Sequence, residues 1–82
     1  MKLVKIPKRF YQDHIERDLP APQVVKSTSL HYWINIEDPA LSEFLSDAEF
    51  YKDEMTSGYA DRTTFGLQRS AQATYDAIKE AI

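Results

Sequence analysis

The chain has 82 residues with 43% hydrophobic and 28% charged side chains, and its net charge at pH 7 is −3. This length provides one hydrophobic core, and the composition is typical of a folded chain rather than a disordered one. Cysteine is absent, which excludes disulfides, thiolate metal sites and thiol catalysis, and the chain shows neither an apolar run long enough to span a membrane nor a signal-peptide pattern.

We therefore expect one cytoplasmic domain over residues 1–82, beginning with a short strand and a short helix. Residues 2–6 alternate, with Val4 and Ile6 on one face. The following proline ends the strand because it cannot donate to a sheet. Residues 8–18 favour a helix because apolar side chains recur at four-residue spacing. The apolar stripe is thin, so an irregular or extended segment is the alternative to a helix. A stiff connector with two prolines follows.

Residues 24–36 predict the clearest strand, because they are rich in β-branched and aromatic residues and contain no Gly or Pro. Alternation places the even-numbered side chains toward the core: Val24, Thr28, Leu30, Tyr32, Ile34 and Ile36. The odd-numbered side chains, with the only tryptophan among them, then point away. Thirteen residues is long for one strand, so a bulge or hairpin near Ser27–Ser29 stays open.

Residues 38–55 predict an amphipathic helix. Asp38 is a typical N-cap, and Pro39 suits the first helical position because its missing N–H costs nothing there. At 100° per residue, one side carries the apolar stripe of Leu41, Phe44, Leu45, Ala48, Tyr51 and Met55. Phe50 points nearly opposite that stripe, which predicts an exposed or half-covered aromatic side chain, or one that contacts a partner.

Residues 56–66 contain both glycines and predict a loop, with a short edge strand at 63–65 left open. Residues 67–82 predict a closing helix whose buried stripe is Leu67, Ala71, Tyr75, Ile78 and Ile82. The sequence thus predicts an α+β domain in the order β-α-β-α-(β)-α. Its small two- or three-stranded sheet is packed on one face by two or three helices.

The second face of the sheet is the favoured functional surface. Tryptophan is enriched in interfaces because it buries a large area and keeps one polar group. We expect a non-enzymatic interaction module that forms a homodimer or binds another protein through this face or a sheet edge. There are two alternatives: this face packs against the protein's own first helix or tail, or it forms a small-ligand site. The candidate interface residues are Val25, His31, Trp33, Asn35 and Phe50.

A small metal-dependent or acid/base enzyme is the second hypothesis. The two histidines, His14 and His31, and the nearby Asp13 and Asp18 are chemically suited to hold a divalent metal or move a proton. No recognised spacing such as HExxH supports this use, and no nucleophile or phosphate-binding motif is present. The sequence therefore assigns no catalytic residue, metal or cofactor.

An acidic surface supports the third hypothesis, a protein that blocks a basic partner. The outer side of the predicted helix carries Glu43, Asp47, Glu49, Asp53 and Glu54. A solvated helix face is the simplest interpretation of these residues, and a charge-complementary contact is the functional one. The basic residues near the N-terminus are few in an acidic chain, which argues against nucleic-acid binding.

Overall fold

The computed structural model describes residues 1–53 and 62–82, and only the backbone of 62–65. Its elements are β1 (Leu3–Pro7), α1 (Lys8–Glu16), β2 (Val24–Ser27), β3 (His31–Asn35), α2 (Leu41–Asp53) and α3 (Arg62–Ala81). The three strands form one antiparallel sheet in the order β1-β3-β2. This arrangement confirms the predicted α+β class.

Alternation along the strands gives the sheet two different faces. Val4 lies opposite Ile34 and Ile6 opposite Tyr32 in the β1–β3 pair, and the three aliphatic side chains are buried. We call the face that carries these four residues the inner face. Tyr11 of α1 contacts the Tyr32 ring at a centroid distance of 5.2 Å, which places α1 against this face. The predicted orientation of β1 is confirmed.

The predicted strand over residues 24–36 is a hairpin, the alternative that the sequence left open. The Thr28 N–H donates to the His31 carbonyl at 2.9 Å, and the Thr28 Oγ1 accepts from the His31 N–H at 3.1 Å. Leu30 lies in this turn and is 71% exposed, so its predicted place in the core is wrong. The turn interrupts the alternation because β2 and β3 are separate strands, and Thr28 is exposed for the same reason.

Both ends of α1 are closed by specific hydrogen bonds. The helix has no side-chain cap of its own, but the Phe10 N–H donates to the buried Ser70 hydroxyl of α3 at 3.0 Å. At the other end Asp18 has a φ of 60°. The N–H groups of Asp18 and Leu19 donate to carbonyls of the last turn at 2.9 and 3.4 Å. This is the Schellman pattern, in which the left-handed residue is most often glycine.

The helix predicted over residues 38–55 begins later, at Leu41. Asp38 still caps the entry, because its Oδ1 accepts the Ala40 N–H at 2.9 Å, whereas Pro39 lies in the preceding turn. The apolar stripe is confirmed in its centre, where Phe44 and Ala48 are buried. Met55, at the predicted end of the stripe, lies outside the described residues. Phe50 points away from the core as predicted and is 59% exposed.

The closing helix α3 is longer than predicted. It begins at Arg62 and includes residues 63–66, so the short edge strand at 63–65 and the end of the predicted loop are wrong. The third strand comes instead from the β2–β3 hairpin. Ala71 and Ile78 are buried as predicted, but Ile82 follows the helix and is exposed. Residues 56–61 of the predicted loop lie outside the described part of the chain.

The buried apolar side chains form one cluster between the inner face and the helices. Its members are Val4, Ile6, Phe10, Ile34, Ile36, Phe44, Ala48, Ala71 and Ile78. Three polar residues among those described in α3, Gln68, Ser70 and Thr74, are also buried. Thr74 lies alongside the predicted stripe, whereas the sequence pattern did not indicate the burial of Gln68 and Ser70. In the described helices no stretch combines the length and apolarity needed to cross a membrane.

Candidate interaction surface

The face opposite the helices brings together three of the five predicted candidates. Lys5 and Lys26 each lie opposite Trp33, one on either side of it in the neighbouring strands. His31 and Asn35 occupy the alternate positions of β3 and share this face with Trp33. We call the outer sheet face the surface formed by Leu3, Lys5, Lys26, His31, Trp33 and Asn35. Trp33 is half-buried at its centre.

Two other predicted residues lie elsewhere. The register shifts between Val24 and Lys26, so Val25 occupies a bulge at the sheet edge and is 43% exposed. The bulge also explains why Lys26, an even-numbered residue, joins the outer sheet face. Phe50 is on α2, whose buried side packs into the core, so it belongs to a different surface.

The chemistry of the outer sheet face is mixed aromatic and basic. An indole between two lysines provides apolar contact area with flanking positive charge. Among the described residues that make up this face there is no carboxylate. Glu37, the first acid after β3, is held at 3.2 Å by the amino group of Met1, which lowers the pKa of Glu37 by hydrogen bonding and charge. The face is therefore suited to an apolar partner with negative charge.

The sheet edges are less suited to binding than the face. The Ile36 N–H donates to the Lys2 carbonyl, and the Lys8 N–H donates to the Leu30 carbonyl. The even-numbered residues of β1 therefore form the backbone hydrogen bonds to β3. The backbone N–H and C=O groups of residues 3, 5 and 7 point to the free edge of the sheet. That edge carries a lysine and a proline, two residues that oppose the addition of another strand. The other edge strand, β2, is four residues long and bulged.

A buried ionic network joins α1 to α2. His14 is 1% exposed, and its Nδ1 lies 2.8 Å from Asp47 Oδ2 while its Nε2 lies 2.7 Å from the Pro20 carbonyl. Arg17 Nη2 donates to the same Asp47 oxygen at 2.6 Å, and its Nε donates to Asp13 at 2.9 Å. Both ring nitrogens of His14 face acceptors, so the two hydrogen bonds are complete when the ring carries both protons.

The charges in this network support each other. Burial alone raises the pKa of Asp47, but hydrogen bonds from Arg17 and His14 and their positive charges outweigh it, so the pKa lies below the ordinary value. Burial lowers the pKa of Arg17, but the hydrogen bond and the negative charge of Asp47, together with Tyr51 and the hydrogen bond to Asp13, outweigh it and raise the pKa. The guanidinium also lies over the Tyr51 ring at 4.7 Å. The network therefore fastens the connector and both helices to one another.

The residues proposed for metal or acid/base chemistry are not brought together. The His14 ring is enclosed on the helical side of the sheet between Phe10 and Phe44, at centroid distances of 6.0 and 5.0 Å, whereas His31 is on the outer sheet face. Asp18 is exposed at the end of α1. No three His, Asp or Glu side chains of residues 1–53 and 66–82 are grouped to hold a metal ion.

Half of the described acidic face is already paired within the protein. Asp47 is committed to the network, and Asp53 accepts from Lys52 at 3.0 Å. The hydrogen bond to Asp53 raises the pKa of Lys52. Glu43 and Glu49 are exposed, and Glu54 lies outside the described residues. The negative surface of α2 is therefore weaker than its sequence predicts.

A shallow groove of about 440 Å³ runs between α1 and the sheet. Its lining residues are Tyr11, Gln12, Ile15, Glu16 and Tyr32. The Tyr11 hydroxyl donates to the Pro22 carbonyl at 2.7 Å. Burial, followed by the nearby Tyr32 and Asp38, raises the pKa of Tyr11. The groove holds no cluster of charged residues. The hydroxyl of Tyr11 holds the connector in place through its hydrogen bond to Pro22.

Comparison of the chain with protein-family models, curated proteins and solved structures found no match.

Proposed function

We propose that this protein is a non-enzymatic interaction module that associates with a second copy of itself through the outer sheet face. The observation that carries the proposal is the position of Trp33. It is the only tryptophan, it stands at the centre of the face opposite the helices, and lysines flank it on both sides. Aromatic residues near the centre of a contact supply most of its binding energy.

The size of the face sets the expected strength. Three strands about 4.8 Å apart, of which the longer two have five residues, cover at most roughly 14 by 17 Å, or about 240 Å². A stable complex buries about 800 Å² on each partner. The exposed apolar residues at the hairpin, Val25 and Leu30, extend the surface but do not close this gap. We therefore expect association in the micromolar range rather than a permanent dimer.

Sedimentation velocity over a series of protein concentrations tests the proposal. The average mass is expected to rise with concentration, and Trp33 fluorescence to shift to shorter wavelength as its indole leaves water. The Trp33→Ala variant is expected to weaken association about thirtyfold or more, since central aromatic residues contribute about 2 kcal/mol or more. Ile15→Ala, which removes a similarly apolar side chain from exposed α1 surface, is the matched control and should associate normally.

Two results would refute the proposal. One is a wild-type protein that stays monomeric at high micromolar concentration. The other is association that Trp33→Ala leaves unchanged, because the contact would then lie on another surface.

A further inference from the structure

We propose that the outer sheet face of one copy binds the exposed side of α2 on the next copy, in a head-to-tail contact. This inference rests on the proposed function and names the surface that Trp33 meets. Three observations carry it: the charge of the outer sheet face, an exposed phenylalanine on α2, and a cleft beside that phenylalanine.

The receiving surface is a cleft between α2 and the connector that follows α1. It has a volume of about 240 Å³, and Leu19 and Phe50 supply apolar walls while Glu43, Ser46 and Asp47 supply polar ones. The Phe50 ring is 59% exposed at the mouth of the cleft. An exposed aromatic ring beside a concave surface is a typical anchor for a protein partner.

Charge complementarity selects this surface over a second outer sheet face. The outer sheet face carries Lys5 and Lys26 on either side of Trp33. The exposed side of α2 carries Glu43, which lines the cleft together with Phe50, and Glu49, which precedes Phe50 in the sequence. Packing two outer sheet faces against each other would bring four lysines into one small contact, which opposes association. Packing the outer sheet face on α2 pairs lysine with glutamate and tryptophan with phenylalanine.

The geometry of such a contact decides the type of assembly. The two surfaces differ, so the contact is heterologous, and each assembly retains one unused surface of each kind at its ends. Assembly then continues into larger species or closes into a ring. An association through two identical outer sheet faces stops at the dimer.

Charge reversal provides the test, with association measured by sedimentation velocity. The first variant, Lys5→Glu with Lys26→Glu, reverses the face. The second, Glu43→Lys with Glu49→Lys, reverses the exposed acidic charge of α2 and avoids the buried Asp47 network. The third carries all four substitutions. All replaced side chains are exposed, so circular dichroism and thermal unfolding should show the same fold for each variant.

The expected result is a rescue. Each double variant alone should associate about tenfold or more weakly, since two attractive contacts become repulsive. The equimolar mixture of the two double variants, and the fourfold variant alone, should regain association. Rising salt should weaken the wild-type association because it screens the opposite charges.

Other results overturn the inference, and they separate it from the proposed function. If Glu43→Lys with Glu49→Lys associates normally while Trp33→Ala does not, the outer sheet face is a contact but α2 is not its partner. If the variant with Lys5→Glu and Lys26→Glu associates normally or more tightly, and its mass does not exceed that of a dimer, the contact joins two outer sheet faces. If Trp33→Ala also associates normally, the proposed function fails together with the inference. A fourfold variant that fails to associate despite a normal fold likewise refutes the pairing.

Discussion

Replacing Asp47 by asparagine removes the charge that holds the α1–α2 network together. In the wild type this carboxylate accepts from His14 at 2.8 Å and from Arg17 at 2.6 Å. The amide of the Asp47→Asn variant keeps the size of the carboxylate, but it carries no charge and has one acceptor oxygen instead of two. His14 and Arg17 Nη2 use the same carboxylate oxygen, so an amide oxygen in its place can accept from both, but only as a neutral acceptor. The new NH2 group then replaces the other oxygen and faces a donor, Arg17 Nη1, at 3.5 Å.

The expected loss of stability follows from the burial of each partner. The hydrogen bond to His14, whose side chain is 1% exposed, is charge-assisted and worth about 2 kcal/mol. The contact with Arg17, 33% exposed, lies nearer to water and is worth about 0.5–1 kcal/mol. The asparagine recovers about 0.5–1 kcal/mol, because its neutral hydrogen bonds are partly offset by the contact of its NH2 group with Arg17 Nη1. The net cost is about 2 kcal/mol, which lowers the Tm of a domain this small by about 8–16 °C.

Urea unfolding at neutral pH, followed by circular dichroism, measures this cost. The control is Asp53→Asn, which removes an exposed carboxylate paired with Lys52 and should cost less than about 0.5 kcal/mol. An Asp47→Asn variant within about 0.5 kcal/mol of the wild type would refute the reasoning, because it would show that the network contributes little to stability.

The same pair of proteins tests the pH dependence. The pKa of Asp47 lies below its ordinary value in the folded protein, while the unfolded chain has the ordinary value of about 3.9. As the pH falls, the carboxylate takes up its proton at a higher pH in the unfolded state than in the folded state. The stability that Asp47 contributes is therefore present at higher pH and is lost as the pH falls through the pKa of the folded state. The stability difference between wild type and Asp47→Asn should therefore be full above about pH 5 and shrink below about pH 4. A difference that grows with acidification contradicts this assignment.

Three further substitutions test single features of the fold by urea unfolding. Asp18→Gly should stabilise the protein by about 0.5–1 kcal/mol because glycine adopts the positive φ of this position without strain; Asp18→Ala should not stabilise it. Ser70→Ala should cost about 1–2 kcal/mol because the Phe10 N–H loses its only acceptor among the described residues, and an unchanged stability would contradict that role. Gly66→Ala should stabilise α3 by about 0.5–1 kcal/mol, since the three atoms nearest the new Cβ all belong to the end of the Arg9 side chain, 3.3 Å away at the closest; a loss of stability would show that Arg9 cannot move.

The periodic parts of the fold could be predicted from the sequence. Alternation in β1 correctly placed Val4 and Ile6 inward, and the helical stripe correctly placed Phe44 and Ala48 in the core. The outward position of Trp33 follows from the same alternation. These features depend only on the repeat of the strand or helix that carries them, which neighbouring residues determine.

The hairpin shows where periodicity was insufficient. Residues 24–36 contain none of the Asn-Gly or Asp-Gly pairs that typically mark a tight turn, so Leu30 was predicted on the inner face. The turn instead uses the Thr28 hydroxyl to bond the His31 backbone. A β-branched residue that favours a strand by composition therefore ends one here.

By itself the sequence determined which side of β1, β3, α2 and α3 is apolar, and with it the α+β class and the outward position of Trp33. The tertiary structure alone decided that His14 meets Asp47, 33 residues away, and that Ser70 caps α1 from 60 residues away. It also decided that the two histidines lie on opposite sides of the sheet. The physical reason is that a repeat fixes the direction of a side chain about the axis of its own strand or helix, whereas a contact depends on how separate strands and helices pack together.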